Sequence, residues 1–317
     1  MGNRNTSYGT SRENFISKGV TSMVRKILLL FSFIFPLASC SQKKTIQKTV
    51  RVAKKSKPAQ ATSQSAIPRI TVWIHGTKSW GNISDHIHAT KHQGLAHHTT
   101  ITESYRIGGV IQSLIASDPA QFPAEHFYVF GWSGKLSFDE RMVESKKLQS
   151  ALHLLVENYR IKYGIAPHLT LIAHSHGGNV ALNLCHVYDE KDPVIISQLI
   201  LLACPVQHET KHLIAHDMFE KVYSLYSSAD TLQVLDPQGM YLTEHNKKRH
   251  LEFSDRRFPI YPNLRQVKLK INGHGIIHIG FITKSFIRML PYILDEVEQW
   301  HLEAPADKLE KELLIKT

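Results

Sequence analysis

Short runs of apolar and β-branched residues recur along this chain, each closed by glycine, proline or a polar cluster. Between them, apolar positions fall three and four apart. The first pattern predicts strands at 69–74, 126–130, 168–173, 198–204, 222–226 and 266–271. The second predicts helices at 107–116, 178–188, 209–219 and 281–300, with a long one at 139–163. On that long helix Met142, Val143, Leu148, Leu152, Leu155, Val156 and Tyr159 share one broad face, and Gly164 ends it. Strands alternate with helices without a repeat or a clear break in composition. The expected fold class is therefore α/β, with a mostly parallel central sheet flanked by helices, as one domain over 68–302. Residues 303–317 form a charged C-terminal tail, read as a lightly packed helix or a frayed end.

Residues 1–67 break this pattern. Met23-Val24-Arg25-Lys26 is a basic stretch, followed by an apolar run from Ile27 to Phe35 interrupted only by Ser32. The run is too short for a stable membrane-spanning helix and has the layout of a signal peptide. It closes on Leu37-Ala38-Ser39-Cys40, so residues 1–40 are read as a leader, for which Met23 is an alternative start. Residues 41–67, rich in Lys, Ser, Gln and Thr, read as a basic disordered tether.

The charge follows this division. The net charge is +11, from 38 Lys and Arg against 27 Asp and Glu. Five of the basic residues lie in 1–40 beside one acid, and seven lie in 41–67 with none. The remaining 26 are matched by 26 acids, so the folded part has no excess to spend on phosphates. No helix-turn-helix, zinc-finger or RNA-recognition pattern is present either, and a nucleic-acid partner is not expected. The three cysteines make no disulfide framework: Cys185 and Cys204 lie in apolar stretches and read as buried small hydrophobes.

The chemistry centres on Ala173-His174-Ser175-His176-Gly177-Gly178. A small-x-Ser-x-Gly between a strand and a helix is a nucleophile elbow, with the serine strained and its Oγ exposed at the sheet's edge. The residue after it, His176, starts the helix, where an unpaired N–H can hold a negative oxygen. A serine hydroxyl is barely nucleophilic and needs a base, and that base needs an orienting carboxylate. In a parallel sheet ligands sit beyond the carboxyl ends of the strands. Thr77, Ser175, Asp230 and His274 or His278 all follow predicted strands. Ser133, between Trp132 and Gly134, is a second serine after a strand, but it lacks the glycine two positions on. His86, His88, His92, His97 and His98, with Asp85, crowd one polar segment; their spacing fits no compact ligand pattern, and the segment reads as a mobile loop near the site.

These residues carry two resemblances. Leu37-Ala38-Ser39-Cys40 resembles the lipobox of bacterial lipoproteins, which implies cleavage before Cys40, its acylation, and a membrane-anchored location in the cell envelope, with simple secretion as the alternative. Over roughly 69–300 the chain resembles the α/β-hydrolase superfamily, and Ala173-x-Ser175-x-Gly177 is similar to the elbow of small bacterial lipases that carry alanine in place of the first glycine. The resemblance implies an oxyanion hole from the N–H groups of Thr77, after His75-Gly76, and of His176. It implies Asp230 as the acid, ahead of Asp236, and His278 in His278-Ile279-Gly280 as the base, with His274 as alternate. It also places lids or binding loops at 236–264, where Met240, Tyr241, Phe258 and Tyr261 can line an acyl pocket or pack locally.

The expectation is a membrane-anchored serine hydrolase, lipase- or esterase-like, that cleaves an acyl ester or lipid through an acyl-enzyme and needs no metal or organic cofactor. The alternatives are an acyltransferase, thioesterase or peptidase on the same three residues, or an envelope lipoprotein that uses the fold as a non-catalytic binding module.

Overall fold

The computed structural model describes residues 47–51, 67–77, 92–101, 106–236, 252–303 and 310–316. The chain divides into two units, Met1–Lys44 and Thr45–Thr317, and all the described residues lie in the second. Cys40, the leader, and His86 and His88 of the histidine cluster lie outside the described residues, as do Met240 and Tyr241.

The expected α/β architecture is the one observed. The strands are β1 (Gln47–Arg51), β2 (Arg69–Ile74), β3 (Gly94–His97), β4 (Phe127–Gly131), β5 (His168–His174), β6 (Gln198–Leu202), β7 (Val222–Tyr226), β8 (Leu235–Asp236), β9 (Glu252–Phe253), β10 (Leu264–Ile271), β11 (His274–Gly275) and β12 (Glu310–Lys316). The main sheet runs β1-β12-β10-β7-β6-β5-β2-β4-β3, with β11 paired to β10. Its pairs are parallel except β3 with β4 and β10 with β11; β8 and β9 make a separate antiparallel ribbon. From β2 the chain crosses to β4 on one side and returns to β5 on the other, so the strand order reverses around β2 and β5, where an open parallel sheet leaves a crevice.

Among the described residues, four α-helices cover the sheet: α1 (Arg106–Ser117), α2 (Phe138–Tyr163), α3 (His176–Leu182) and α4 (Lys284–Glu303). Successive strand residues point to opposite faces and divide the interior into two cores. Trp73, Ile172, Ile200, Leu202, Tyr223, Leu225, Val267 and Leu269 pack beneath α1 and α4. Ile70, Val72, Ile74, Leu169, Leu171, Leu199 and Leu201 pack beneath α2 and α3. Burial on both faces is why these strands read as unbroken apolar runs.

Several expectations are corrected. The helix at 209–219 does not form: the segment is a series of turns around a 3₁₀ turn at Leu213–Ala215. Thr210 donates to Asn179 Oδ1, and Asn263 Nδ2 donates to the carbonyls of Ile214 and Phe219, which takes acceptors a helix would need. The helix after Ser175 is α only to Leu182 and continues as 3₁₀ over Asn183–Val187. At the start of α2 the buried face holds Arg141, Glu144 and Ser145, while Val143 is exposed. Part of the histidine-rich segment is ordered: β3 ends at His97, whose Nε2 donates to the Ala124 carbonyl, and His98 is buried and bonded to Gln112.

The two ends of the domain differ most. Residues 310–316 are neither helix nor frayed tail but strand β12, parallel to β10 on one side and β1 on the other. The cause is an alternation hidden in a charged segment: Leu313 and Ile315 enter the core, while Glu312, on the other face, is buried between Lys268 and Lys270 at 3.1 and 3.0 Å. Burial by itself raises the Glu312 carboxyl, but the hydrogen bonds from Lys270 and Lys268 outweigh it and hold the group below its ordinary value. Strand β1 likewise falls inside 41–67, so that segment is not tether throughout. Ile315→Ala is expected to cost about 2–4 kcal/mol in urea unfolding, as core truncations do; an unchanged midpoint is what a frayed tail gives.

Candidate active site

Ser175 sits at the turn from β5 into α3 with φ 54° and ψ −134°. Non-glycine residues rarely hold such a conformation; it costs on the order of 1–3 kcal/mol and persists only where the surroundings enforce it. Those surroundings are specific. The Ser175 N–H donates to Leu202 O at 2.9 Å, and its own carbonyl accepts from Gly178 N at 2.9 Å. A Cβ on Gly177 would lie 2.5 Å from the His75 carbonyl oxygen, so only glycine lets α3 start this close to the end of β2. A Cβ on Gly76 would lie 2.8 Å from Ser175 Cβ. The loop carrying Thr77 therefore runs directly against the serine.

His75 is locked in place. Its carbonyl accepts from Trp132 Nε1 at 2.7 Å, its Nε2 accepts from Trp132 N at 3.1 Å, and the two rings stack at 5.7 Å. The Gly131–Gly134 turn thus supports the His75-Gly76-Thr77 loop through Trp132, while Ser133 Oγ accepts from Lys135 N.

Three of the sequence candidates meet. His278 Nε2 lies 2.9 Å from Ser175 Oγ, and its Nδ1 lies 2.8 Å from Asp230 Oδ2. A carboxylate only accepts, so Nδ1 carries the proton and Nε2 is left to accept from the serine hydroxyl. Asp230 is fully buried, and its Oδ1 accepts from Gln233 N at 3.0 Å. The His278 side chain keeps 13% of its surface, and Ser175 keeps 4%. The serine is thus more enclosed than the exposed position expected of an elbow, because the Gly76 loop and the 3₁₀ turn at His278–Ile282 close over it. His174, beneath the elbow, reaches the His278 carbonyl from Nε2 at 3.3 Å with the rings 4.9 Å apart.

His274 is not brought to the serine. Asn272 and Gly273, both at positive φ, form the tight turn of the β10–β11 hairpin, and His274 stands exposed on the second strand. The chain then turns inward at Ile276, whose N–H donates to Ser227 Oγ at 2.8 Å; the same oxygen accepts from Ala229 N at 3.3 Å. Ser227, wholly buried, so ties the loop of Asp230 to the loop of His278. Asp236 lies in the β8–β9 ribbon, six residues past the acid that reaches His278. Phe258 and Tyr261 belong to the core under α2 and α3, which favours local packing for both.

Arg256 was not singled out by sequence reasoning. Its guanidinium donates to the Asp230 carbonyl oxygen from Nε at 3.2 Å and from Nη2 at 2.8 Å. Burial lowers its pKa, and the Asp230 charge works in the opposite sense. No group of three or more metal-ligating side chains occurs among the described residues. Cys204 is buried, and burial pushes the Cys185 thiol up to about 12, far from a reactive thiolate.

No protein-family model matches the sequence, and no curated protein matches it. Solved structures of similar architecture include an esterase from Pyrococcus furiosus, 15% identical with a TM-score of 0.39, covering 75% of this chain and 81% of that one. A hyperthermophilic esterase from Pyrobaculum calidifontis is 13% identical with a TM-score of 0.35, covering 76% and 75%. Carboxyl esterase 2 from Tuber melanosporum is 12% identical with a TM-score of 0.33, covering 80% and 68%. At this distance the reading of the site rests on its own geometry.

Gly177→Ala is expected to cost about 1–3 kcal/mol or more in thermal or urea unfolding, because the new methyl meets backbone rather than a movable side chain. A variant as stable as the parent would mean that the strand and helix are not packed this closely.

Proposed function

We propose that this chain is a serine hydrolase acting on carboxylic esters, with Ser175 as nucleophile, His278 as general base and then acid, and Asp230 as the residue that holds the imidazole. The observation that carries this reading is the continuous hydrogen-bond chain from Ser175 Oγ through His278 to Asp230, at 2.9 and 2.8 Å, beginning on a strained serine. Attack by Oγ on the ester carbonyl passes the hydroxyl proton to His278 Nε2, and Asp230 stabilises the imidazolium. The N–H groups of Thr77 and His176 hold the developing oxyanion. His278 protonates the departing alkoxide, leaving an acyl-enzyme. It then takes a proton from water, the hydroxide oxygen attacks the acyl carbon, and Ser175 regains its proton as the acid leaves. None of these steps calls on a metal or an organic cofactor.

We further propose that the mature protein begins at Cys40 and is held to a bacterial envelope membrane by acyl chains on that residue. Two or three chains anchor firmly, since each buried methylene contributes about 0.8 kcal/mol. An enzyme held there meets acyl esters and lipids as its substrates, and this context favours an ester of apolar acyl chains.

Ser175→Ala and His278→Ala are expected to reduce p-nitrophenyl ester hydrolysis by about 10³-fold or more, and Asp230→Asn by a comparable factor. His274→Ala should stay within about threefold of the parent, and wild-type rates in Ser175→Ala would reject the mechanism. In a bacterial host, Cys40→Ser should move the protein from the membrane to the soluble fraction; full retention would count against lipidation at that residue.

A further inference from the structure

Taking a carboxylate fully out of water costs on the order of several kcal/mol, which hydrogen-bond donors and a neighbouring cation offset together. Asp230 has no exposed surface, and among the described residues its carboxylate receives one main-chain N–H, from Gln233, and one imidazole N–H. A full positive charge lies close by, on Arg256. It does not grip the carboxylate. It grips the carbonyl of the same residue with both arms of its fork, at 2.8 and 3.2 Å.

This placement does two things. It fixes the backbone of Asp230 at the point from which the side chain leaves for His278. It also sets a cation beside the buried anion without competing for the oxygen that His278 uses. The arginine is itself held by its chain neighbours: Asp255 exchanges main-chain hydrogen bonds with Val206 at 3.0 and 3.1 Å, and Ser254 N donates to Val234 O at 3.0 Å. Gln233, which caps the Asp230 turn, reaches the Cys204 carbonyl at 2.8 Å from Nε2. Arg256 is therefore fastened to the loops after β6 and β7, the second of which carries Asp230.

We propose that Arg256 is a positioning residue that acts through Asp230, fixing its backbone and setting the pH at which His278 becomes a base. The proposal rests on the hydrolase reading above. The other titratable groups near this pair are His174, against His278 from β5, Tyr226, at the end of β7, and His274, exposed on the hairpin that leads to His278. The sign is fixed by electrostatics. The Asp230 anion stabilises imidazolium, and the Arg256 cation partly cancels that field. Removing the cation leaves the anion unopposed, so the imidazole holds its proton to higher pH.

Two conservative variants separate the two roles. Arg256→Gln keeps a donor for the Asp230 carbonyl and loses the charge; Arg256→Lys keeps the charge and loses the fork. The measurement is the pH profile of kcat/KM for p-nitrophenyl butyrate with the full-length protein. In Arg256→Gln the acid-limb midpoint should rise by on the order of half a pH unit. In Arg256→Lys it should stay at the parent value, while kcat falls about tenfold with KM within about twofold. An unmoved midpoint in Arg256→Gln, or equal shifts in both variants, would overturn the proposal, since loss of packing alone does not distinguish charge. The imidazole pKa of His278 can also be read by NMR titration, with its signal assigned through His278→Gln. A preparation without esterase activity but with the expected NMR shift would fail the hydrolase reading and keep the electrostatic one; no shift would fail Arg256 whatever the activity.

Discussion

The whole site depends on one short approach: the start of α3 lies so near the end of β2 that no side chain fits at Gly177. That contact drives the turn through Ser175 into positive φ, at a cost of about 1–3 kcal/mol that the register of β5 with β2 and β6 must offset. Remove the approach and the serine relaxes toward an ordinary strand end, away from His278. The strain, the glycine and the parallel pairing are a single feature seen at three levels. Local sequence makes the turn possible, sheet packing makes it obligatory, and the result is a hydroxyl fixed 2.9 Å from an imidazole.

The polar interior is organised around the same point. Asp230 and Arg256 bring opposite charges under the surface, and Ser227 joins two loops that arrive from β7 and β10. Each loop spends its polar atoms on the other, so Asp230 and His278 are held as one unit rather than as two flexible side chains. With Asp230 accepting at Nδ1, the other ring nitrogen of His278 is left facing the Ser175 hydroxyl.

Much of this was legible in the sequence because central parallel strands, buried on both faces, leave long apolar runs that little else produces. Strand ends then gave the positions of Ser175, Asp230 and His278. What failed to show was set by tertiary contact. The segment 209–219 has helical spacing, but Asn263 and Asn179 take its polar groups. Strand β12 hides Leu313 and Ile315 in a run dense with charge, where Glu312 pairs with lysines on β10. Arg256 stands in Asp255-Arg256-Arg257, inside the segment 236–264 expected to hold lids or binding loops. Its neighbour across the fold is 26 residues away, and nothing local announces it. His274 and His278 could not be separated by spacing; the Asn272-Gly273 hairpin does so by turning the first outward.

If Ser175 is an activated nucleophile, a fluorophosphonate labels it whatever the natural substrate. The purified protein is treated with the reagent, and the adduct is located by peptide mass spectrometry. A single phosphonyl adduct on Ser175, lost in His278→Ala, is the expected result; a folded wild-type protein that takes up no label, or takes it on another serine, would contradict the account.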